Sequence, residues 1–366
     1  MYNSFLLCPT YINMPELLQP RQTSESGNIA AHARRTPALL THEGPTVVSW
    51  EIGGTEMRVA CVKDGQLIGT PVKVKTPSQY SEARGLIREI SHVVLDGQRP
   101  DAVGVSIAGE VSRDGKQIDS AGELQSKGYT GQPIADDVAD AVRVIDNRNV
   151  SMLNDCDTGA LAALGALRRE MGLGSNDPVD EDGMFATLST GFGTSIRTRE
   201  GWIVSDAGGH RFLKPGAICG DGQEGHAEAH ISGSGQARKY GKRSEDIREY
   251  FPGTRILMPK WRQIKRDFHD TVDMTLGVYH DAGLDVRQID WTGSVALKGP
   301  RMLKGLQRHL NQKANRSQGP SVKIVEAVHG EDSGLVGAGQ SAVLTLEGTP
   351  ARVIFEGISA IKGLRA

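Results

Sequence analysis

The sequence predicts an α/β protein built from two copies of one folding unit, with a cleft between the halves. The main observation is an internal repeat, because a strand, a Gly-rich corner, a second strand, an acidic-Gly turn and a third strand follow Thr46 and again follow Phe185. Helix and strand signals come after each copy, which is typical of α/β domains. A chain of 366 residues is also long for one core and suits two domains.

The composition is that of a globular protein with many tight turns, with 38% hydrophobic residues, 23% charged residues and 45 glycines. A formal net charge of -2 gives no electrostatic footprint for nucleic acid or an anionic membrane. The cysteines, Cys8, Cys61, Cys156 and Cys219, show no paired spacing, which is typical of reduced thiols. No apolar run approaches the roughly 20 residues that span a bilayer. We therefore expect a cytoplasmic location.

The first copy follows an N-terminal extension, residues 1–44, which mixes Pro, Ser, Gln and Arg without a sustained period. We expect the extension to be disordered or to lie over the folded body. The predicted strands Val47–Trp50 and Met57–Val62 are joined at Gly53-Gly54, and Asp64-Gly65 turns the chain into a third strand. The glycine pair either makes a simple turn or lets the backbone approach a phosphate, and the pair alone leaves both open.

Between the two copies, the sequence predicts a helix, a strand, a loop and a second helix. Gln79–Leu95 has a helical period, and a strand from Asp101 runs into a glycine turn at Gly109. A polar loop then leads to a short helix at Ile134–Val144.

The stretch Asn149–Glu170 is predicted to be a buried strand that ends in a carboxylate and turns directly into a helix. Val150–Leu153 is a short apolar run, and Asp157 or Thr158 is the expected N-cap. Asp155 would then lie at the C-terminal end of a strand beside a helix N-terminus, where α/β proteins place reacting groups. It is our candidate catalytic base, although acids in a first helical turn are also explained by capping and the helix dipole.

The second copy has its corner at Gly191 and Gly193 and its turn at Glu200-Gly201. A segment from Gly208 follows that is too rich in glycine for regular structure and too rich in ionisable groups for an idle loop. The remaining predicted elements are a helix with an apolar face from Trp261 to Tyr279, a strand at Val286–Ile289, a helix at Met302–Ala314, a strand at Val322–Val328 and a small-residue helix from Gly334.

Five motifs, in this order, resemble those of the ROK family of sugar kinases and related repressors, within the actin-like ATPase superfamily. They are EIGGTE at Glu51–Glu56, NDCD at Asn154–Asp157, LSTGFG at Leu188–Gly193, the GH, CGDGQEGHAE and SG run within Gly209–Gly233, and GLVGAG at Gly334–Gly339. The resemblance covers Thr46 to Leu346 and implies two actin-like (ribonuclease H-like) α/β domains with a central cleft. On that basis the chain is divided into the extension, an N-terminal domain at 45–154, a C-terminal domain at 155–345, and a segment at 346–366 expected to pack back on the N-terminal domain.

The resemblance implies an ATP-dependent phosphotransferase that acts on a hydroxyl of a hexose-like sugar, an amino sugar or a cyclitol. Asp155 would accept the hydroxyl proton, and Glu51 stands where the family has an aspartate near Mg²⁺. The implied nucleotide-binding residues are Gly53, Gly54, Thr55, Thr190, Gly191, Gly193, Thr194, Gly293, Gly334 and Gly337. The implied substrate contacts are Ser106, Gly109, Asn154, His210 and Glu228.

Two departures from the family pattern concern the substrate. The family's glutamate three residues before the GH histidine is replaced by Ala207, with Asp206 beside it, and its asparagine-containing loop is replaced by GELQSKGYTG at Gly122–Gly131. Since buried donors and acceptors for each hydroxyl set specificity, a changed set implies a changed polyol.

The family's zinc positions are also altered, because His210, Cys219, Asp221 and His226 stand where members have a histidine and three cysteines. All four residue types are possible zinc ligands, but loss of thiolates weakens the affinity for zinc, so the resemblance leaves retention of the metal open.

Two other functions stay open beside the kinase. The family includes sugar-responsive transcriptional regulators, although residues 1–44 contain no clear helix pair with a recognition face. A sugar-binding pseudokinase is the other alternative, and Asp155 argues against it. We expect a homodimer, with a small-molecule substrate and ATP as partners and with neither nucleic acid nor membrane.

Overall fold

The structure is a computed structural model that describes residues 45–63, 66–146, 148–240, 258–294, 300–355, 357–358 and 360–361. The extension at 1–44 and the predicted turn at Asp64-Gly65 lie outside the described residues. The described chain forms a mixed α/β structure with two main sheets in two domains. None of its described helices is both long enough and apolar enough to cross a membrane.

The first sheet has five strands in the order β3-β2-β1-β4-β7, and a small hairpin, β5-β6, stands beside it. Its strands are β1 (Val47–Ile52), β2 (Glu56–Lys63), β3 (Gln66–Lys75), β4 (Ala102–Ile107), β5 (Glu110–Val111), β6 (Ile118–Ser120) and β7 (Val150–Asn154). The first three strands are antiparallel, whereas β4 pairs parallel to β1 and β7 pairs parallel to β4.

The second sheet repeats this plan and adds one strand, in the order β12-β11-β8-β9-β10-β13. Its strands are β8 (Asp182–Leu188), β9 (Phe192–Arg197), β10 (Ile203–Asp206), β11 (Val286–Thr292), β12 (Lys323–Glu326) and β13 (Val353–Ile354). Again an antiparallel run of three strands is followed by two parallel ones, because β11 pairs with β8 and β12 with β11. The duplication predicted from the sequence is confirmed strand for strand.

Helices connect the strands and cover the sheets. They are α1 (Tyr80–Val94), α2 (Gly122–Gln125), α3 (Ile134–Val142), α4 (Asp155–Met171), α5 (Ala227–Ile231), α6 (Gly233–Tyr240), α7 (Met258–Asp281), α8 (Pro300–Ser317) and α9 (Ser333–Leu346). Short 3₁₀ turns occur at Gly208–His210 and Gly330–Asp332. The helices predicted from the apolar period are all present, and the glycine-rich segment holds only the 3₁₀ turn and the short helices α5 and α6.

Each sheet has its own apolar core. Fully buried Trp50 lies in the first core and donates from its indole nitrogen to the Ser91 hydroxyl on α1 (3.0 Å). Fully buried Trp291 lies in the second core, with its ring against Phe192 and Phe268. These cores are separate because α4 and α9 lie between the two sheets rather than within either core.

The chain passes between the sheets at two places, which brings the two domains together. At the first, β7 ends the first sheet and α4 packs on β8, β9 and β10 of the second. At the second, the chain leaves β12 and α9 packs on β1 and β4 of the first sheet and along α4. Helix α9 lies, except for its last residue, within the range 155–345 that we assigned to the C-terminal domain, but its contacts are with both halves.

The C-terminal segment also contacts both halves. Strand β13 pairs in parallel with β10 of the second sheet, through Val353 opposite Ile203. Phe355 packs against residues of the first core and against the cluster around α4. The described residues of this segment thus contact both sheets, and the packing of 346–366 on the N-terminal domain stays a prediction.

Candidate active site

The two glycine corners lie on different sheets, as the repeat predicts. Gly53–Thr55 joins β1 to β2, and Ser189–Gly191 joins β8 to β9. In the first corner the Gly53 amide donates to the Glu56 carbonyl (3.0 Å), and in the second the Ser189 amide donates to the Gly191 carbonyl (2.9 Å). Each corner is thus a tight turn, and each has an exposed threonine at its tip, Thr55 or Thr190.

Asp155 is the first residue of α4 and follows directly on β7. Its neighbour Asn154 caps the helix by accepting from the Cys156 amide (2.8 Å), and its amide nitrogen donates to the Gly109 carbonyl (2.7 Å). The prediction that Asp157 or Thr158 caps the helix was wrong, because the helix begins immediately at the end of the strand. The site therefore starts from a strand-to-helix turn that Asn154 holds on both sides.

The Asp155 carboxyl has an unusual proton affinity for an aspartate. Its burial, and then the nearby negative charge of Glu51, raise its pKa to about 7, more than hydrogen bonds from Cys156 lower it. A carboxyl group with this pKa is about half ionised at neutral pH and can both take up and release a proton.

Asp157, two residues further along α4 and therefore on nearly the opposite face of the helix, has a different environment. It is fully buried and accepts hydrogen bonds from the Ser195 hydroxyl on β9 (2.8 Å) and from the Ser205 hydroxyl on β10. Burial raises its pKa to about 6, although the two hydroxyls lower it. Asp157 therefore ties α4 to the second sheet and does not reach the cleft.

Glu51 is the penultimate residue of β1 and forms an ion pair with Arg58, which lies directly opposite on β2. The guanidinium binds one carboxylate oxygen of Glu51 through two nitrogens and also binds Asp332 (3.0 Å) at the start of α9. The other oxygen of Glu51 faces Gly334, where an added Cβ would lie 2.9 Å away. Burial raises the pKa of Glu51, more than Arg58 lowers it. The Glu51 carboxylate, which was predicted to lie near Mg²⁺, thus binds Arg58 through one oxygen and packs against the start of α9 with the other.

Ser106 and Gly109, two predicted substrate contacts, lie under the site. Ser106 has no exposed surface, and its hydroxyl is 2.8 Å from that of Thr158 on α4. Gly109 has φ +141°, and its carbonyl is the acceptor for Asn154. An added Cβ at Gly109 would lie 2.7 Å from the Ser120 carbonyl, so a glycine is required there. Both residues support Asn154 and α4.

The glycines of GLVGAG serve helix packing in this structure. Gly334 lies beside Glu51 and Ser106, and a Cβ at Gly337 would overlap the carbonyl of Thr158 on α4. Both glycines are buried within α9. Their predicted contact with nucleotide is not offered by this arrangement, because the close approach of two helices already uses the space that the missing side chains leave.

Thr194 and Gly293, predicted to bind nucleotide, are also buried. The Thr194 hydroxyl donates to Asp206 (2.5 Å), and its oxygen lies 3.2 Å from the hydroxyl oxygen of Tyr279. Gly293, which follows β11 and has φ +97°, packs on the backbone of Leu188 at the end of β8. Thr194 therefore helps to hold the second corner from beneath.

Asp206, which stands beside the altered position Ala207, has hydrogen-bond partners only from the second domain among the residues that the structure describes. Besides Thr194 it binds the Tyr279 hydroxyl and the Arg211 guanidinium. The Arg211 guanidinium carbon also lies 5.3 Å from the centre of the Tyr279 ring. Asp206 therefore does not replace the glutamate that the family has next to it.

Glu228 links the second corner to the glycine-rich segment. One carboxylate oxygen accepts from the Phe192 amide (3.1 Å), and the other accepts from the Cys219 thiol (3.5 Å). A Cβ at Gly191 would lie 2.9 Å from Glu228, and Gly193 packs against the sulfur of Cys156, next to Asp155. The second corner thus packs against Glu228 on one side and against Cys156, the neighbour of Asp155, on the other.

The four residues predicted as zinc ligands are brought together. One ligand atom of each, from His210, Cys219, Asp221 and His226, lies within 4.8 Å of all the others. Asp221 Oδ2 is 3.0 Å from His210 Nδ1 and 3.1 Å from His226 Nδ1. Burial raises the pKa of the Cys219 thiol to about 11. Nitrogen, sulfur and oxygen donors at this mutual spacing suit tetrahedral zinc, whose bonds are about 2.0 to 2.3 Å long.

Three residues near the site were missed by the sequence analysis. Glu123 accepts from the Thr55 hydroxyl (3.2 Å), and Lys127 donates to the Gly54 carbonyl (2.5 Å), so α2 and the turn after it cover the first corner. Arg58 is the third. A charged residue in the apolar strand EMRVACV, opposite Glu51 in the hairpin register, was a signal for Arg58, whereas nothing in the polar loop indicated where Glu123 would lie.

A model of the family described as "ROK family" matches residues 47–343. The chain belongs to the ROK family. No curated protein matches it closely enough to add a named relative.

Among solved structures, a ROK family glucokinase from Streptomyces griseus in complex with glucose and AMPPNP is 21% identical, with 81% of this chain and 98% of that chain covered and a TM-score of 0.60. A ROK hexokinase from Thermus thermophilus is 22% identical, with 83% and 99% covered and a TM-score of 0.61. A ROK family transcriptional regulator, described as a homologue of the E. coli MLC protein, is 13% identical, with 88% and 81% covered and a TM-score of 0.60. At these identities the likeness establishes the fold, and the family contains both kinases and regulators.

Proposed function

We propose that this ROK family chain is an ATP-dependent kinase that phosphorylates a hydroxyl of a hexose-like sugar, an amino sugar or a cyclitol. The observation that carries the proposal is the position of Asp155, where β7 passes directly into α4 and where the Asn154 cap holds the turn, with burial raising the pKa of its carboxyl group. The solved structures described as a glucokinase and a hexokinase support the reaction class.

In the proposed reaction, the substrate hydroxyl oxygen attacks the γ-phosphorus of ATP and the bond from that phosphorus to ADP breaks. The hydroxyl proton passes to the Asp155 carboxylate. The raised pKa suits this task, because an ionised fraction is present at neutral pH and the carboxylate holds a proton better than an ordinary aspartate. Asn154 fixes the position of Asp155 through its cap and its bond to Gly109.

The backbone amides of Gly53–Thr55 and of Thr190–Gly193 are proposed to hold the phosphates of ATP, as glycine corners do. Mg²⁺ would accompany ATP and neutralise the charge of its phosphates. Glu51 does not fit the role of a magnesium ligand, because Arg58 occupies one of its oxygens and α9 packs on the other. We therefore assign Glu51 no metal.

Zinc is proposed at His210, Cys219, Asp221 and His226. Bound zinc would fix the ring of His210 and so orient its Nε2 toward substrate, since the Nδ1 atom faces Asp221. Protein purified without a His-tag is expected to contain about one zinc per chain. His226→Ala should lose the zinc and weaken sugar binding, whereas His280→Ala, at an exposed site on α7, should change neither. Zinc-free wild-type protein with full sugar affinity would contradict this assignment.

The proposed function is tested by measuring ADP release with a panel of hexoses, amino sugars, N-acetylated sugars and cyclitols. Sugar-dependent ADP release, with one phosphorylated product for each ADP formed, is the expected result. Sugar binding without ADP release for any member would instead support the pseudokinase or the sugar-responsive regulator. The predicted homodimer stays a prediction, which light scattering of the purified protein would check.

A further inference from the structure

The side chain of Cys156 packs against the backbone of the second glycine corner. Cys156 is the second residue of α4, and its amide donates to the side-chain oxygen of Asn154 (2.8 Å). The residue is only 3% exposed. Its sulfur fills the space that a side chain at position 193 would need, because a Cβ at Gly193 would overlap it. The cap and the corner therefore leave the thiol little freedom to move.

The same thiol contacts the carboxyl group of Asp155. A hydrogen bond joins the two side chains, in addition to one from the Cys156 amide. Burial, and then the negative charges of Asp155 and Asp157, raise the pKa of the thiol well above its ordinary value. The sulfur therefore keeps its proton while Asp155 titrates, so the thiol is the donor and the carboxylate the acceptor.

The charged groups that act on Asp155 have the opposite effect to Cys156. The negative charges of Glu51 on β1 and of Asp157 on α4 raise the pKa of Asp155, as its burial does. The hydrogen bonds from the thiol and the amide of Cys156 lower it. Cys156 thus favours ionised Asp155, which is the form that accepts a proton in the proposed reaction.

We propose that Cys156 is a positioning residue for Asp155, whose thiol holds the carboxylate in one orientation and fixes it relative to the glycine corner at Gly193. The inference rests on the proposed function, because it assigns a residue that supports the proposed base. In this role Cys156 needs no contact with ATP or sugar and acts through Asp155. A carboxylate without this donor would be less well oriented and harder to ionise.

The pH–rate profile tests this role with two substitutions at position 156. Cys156→Ala removes the donor, so the acidic limb of kcat/KM should move upward by about half to one pH unit. At pH 7, kcat/KM should then fall by about threefold to tenfold. Cys156→Ser keeps a donor on the same Cβ, and a hydroxyl donates more strongly than a thiol, so its limb should lie at or slightly below the wild-type position.

The matched control is Cys61→Ala. Cys61 is an equally buried thiol, 2% exposed, in the first core, and its sulfur lies 4.0 Å from the Val94 carbonyl oxygen. A general loss of packing should lower the stability of both alanine variants, whereas the shift of the acidic limb should appear only in Cys156→Ala. A limb that stays in place in Cys156→Ala, or that moves upward as far in Cys156→Ser, would overturn the proposal.

The pKa of Asp155 can also be measured without turnover, which separates this inference from the proposed function. The stability that protonated Asp155 contributes is lost as the pH rises through its pKa, so the difference in thermal stability between Asp155→Asn and its parent changes around that pH. The change should be centred near pH 7 in the wild-type background and about half to one pH unit higher in the Cys156→Ala background.

The two measurements together decide between the two claims. A higher centre in the Cys156→Ala background, without ADP release from any compound of the panel, would support the role of Cys156 and refute the kinase. ADP release with an unmoved centre would support the kinase and refute the role of Cys156.

Discussion

The two glycine corners share one backbone plan but rest on different chemistry. Beneath the first, Glu51 and Arg58 form an ion pair that also binds Asp332 at the second passage between the sheets. Beneath the second, Gly193 lies on the sulfur of Cys156, and Glu228 accepts from a corner amide. The comparison teaches that duplication supplied the scaffold, whereas the charged groups differ between the copies.

Asp155, the proposed catalytic base, belongs to neither of the two repeated hairpins. Asp155 lies where the chain leaves β7 of the first sheet and enters α4, which packs on the second. Helix α9 makes the return passage, and its first residues contact Glu51 and Arg58. Asp155, Glu51 and Arg58 therefore lie where the chain passes between the two sheets. Motion of one domain relative to the other would change their surroundings.

Breaking the ion pair under the first corner should have the largest effect on stability. Arg58→Met leaves the Glu51 carboxylate buried without its partner, since the two side chains are only 8% and 23% exposed. We expect a loss of about 3 kcal/mol in the free energy of unfolding, measured by urea denaturation.

The control is the double variant Arg58→Met with Glu51→Gln, in which no unpaired charge remains. It should regain much of the lost stability, because the cost of breaking such a pair comes mostly from the orphaned charge. A single variant as stable as the wild type would show that the first corner does not depend on this pair.

The pH dependence distinguishes the acid at the passage from an ordinary surface aspartate. Catalysis needs ionised Asp155, and its pKa is raised to about 7, so kcat/KM should rise about tenfold per pH unit below 7 and level above it. Stability should respond in the opposite direction. Ionisation of a carboxyl group with a raised pKa opposes folding. The contribution of protonated Asp155 to the free energy of unfolding is therefore present at low pH and lost as the pH rises through 7.

Both directions can be read from two experiments, a pH–rate profile and thermal unfolding at several pH values. Asp155→Asn should become more stable relative to the wild type as the pH rises from about 4 to about 7. An activity profile whose acidic limb lies near pH 4 would mean that the pKa of Asp155 is not raised.

The smallest effect is expected where α4 meets the second sheet. Ser195→Ala removes one of the two hydroxyls that bind the buried Asp157 carboxyl, which should cost about 1 kcal/mol of stability. Because Asp157 does not reach the cleft, kcat should stay within about twofold of the wild-type value. A large fall in kcat with unchanged stability would place Asp157 in the reaction itself.

The repeat, the glycine corners and the strand before Asp155 were predictable because they depend on local patterns. Alternating apolar residues, paired glycines and acidic-Gly turns fix strands and hairpins over short distances. The residues Gly334 and Gly337 show the limit of such patterns. A glycine spacing that matches a nucleotide motif is the same spacing that lets two helices approach, and only the partner helix decides between the two uses.

Long-range partners were not predictable from one sequence. Arg58 meets Asp332 across 274 positions of sequence, and Asp157 meets Ser195 across 38. Glu123 was hidden in a polar loop, because a charged residue in such a loop is usually solvated and no period tells where it points. By contrast, His210, Cys219, Asp221 and His226 were predicted together from the resemblance to the ROK family, and the structure brings them close within one short segment.

The most direct test of the central claim compares Asp155→Asn with Asp157→Asn. Asp155→Asn should bind ATP and sugar about as well as the wild type, because the shape and most hydrogen bonds are kept, while kcat falls by about 10² or more. Asp157→Asn should change stability and leave kcat within about tenfold. Turnover by Asp155→Asn near the wild-type rate, with both substrates bound, would contradict the assignment of Asp155 as the base.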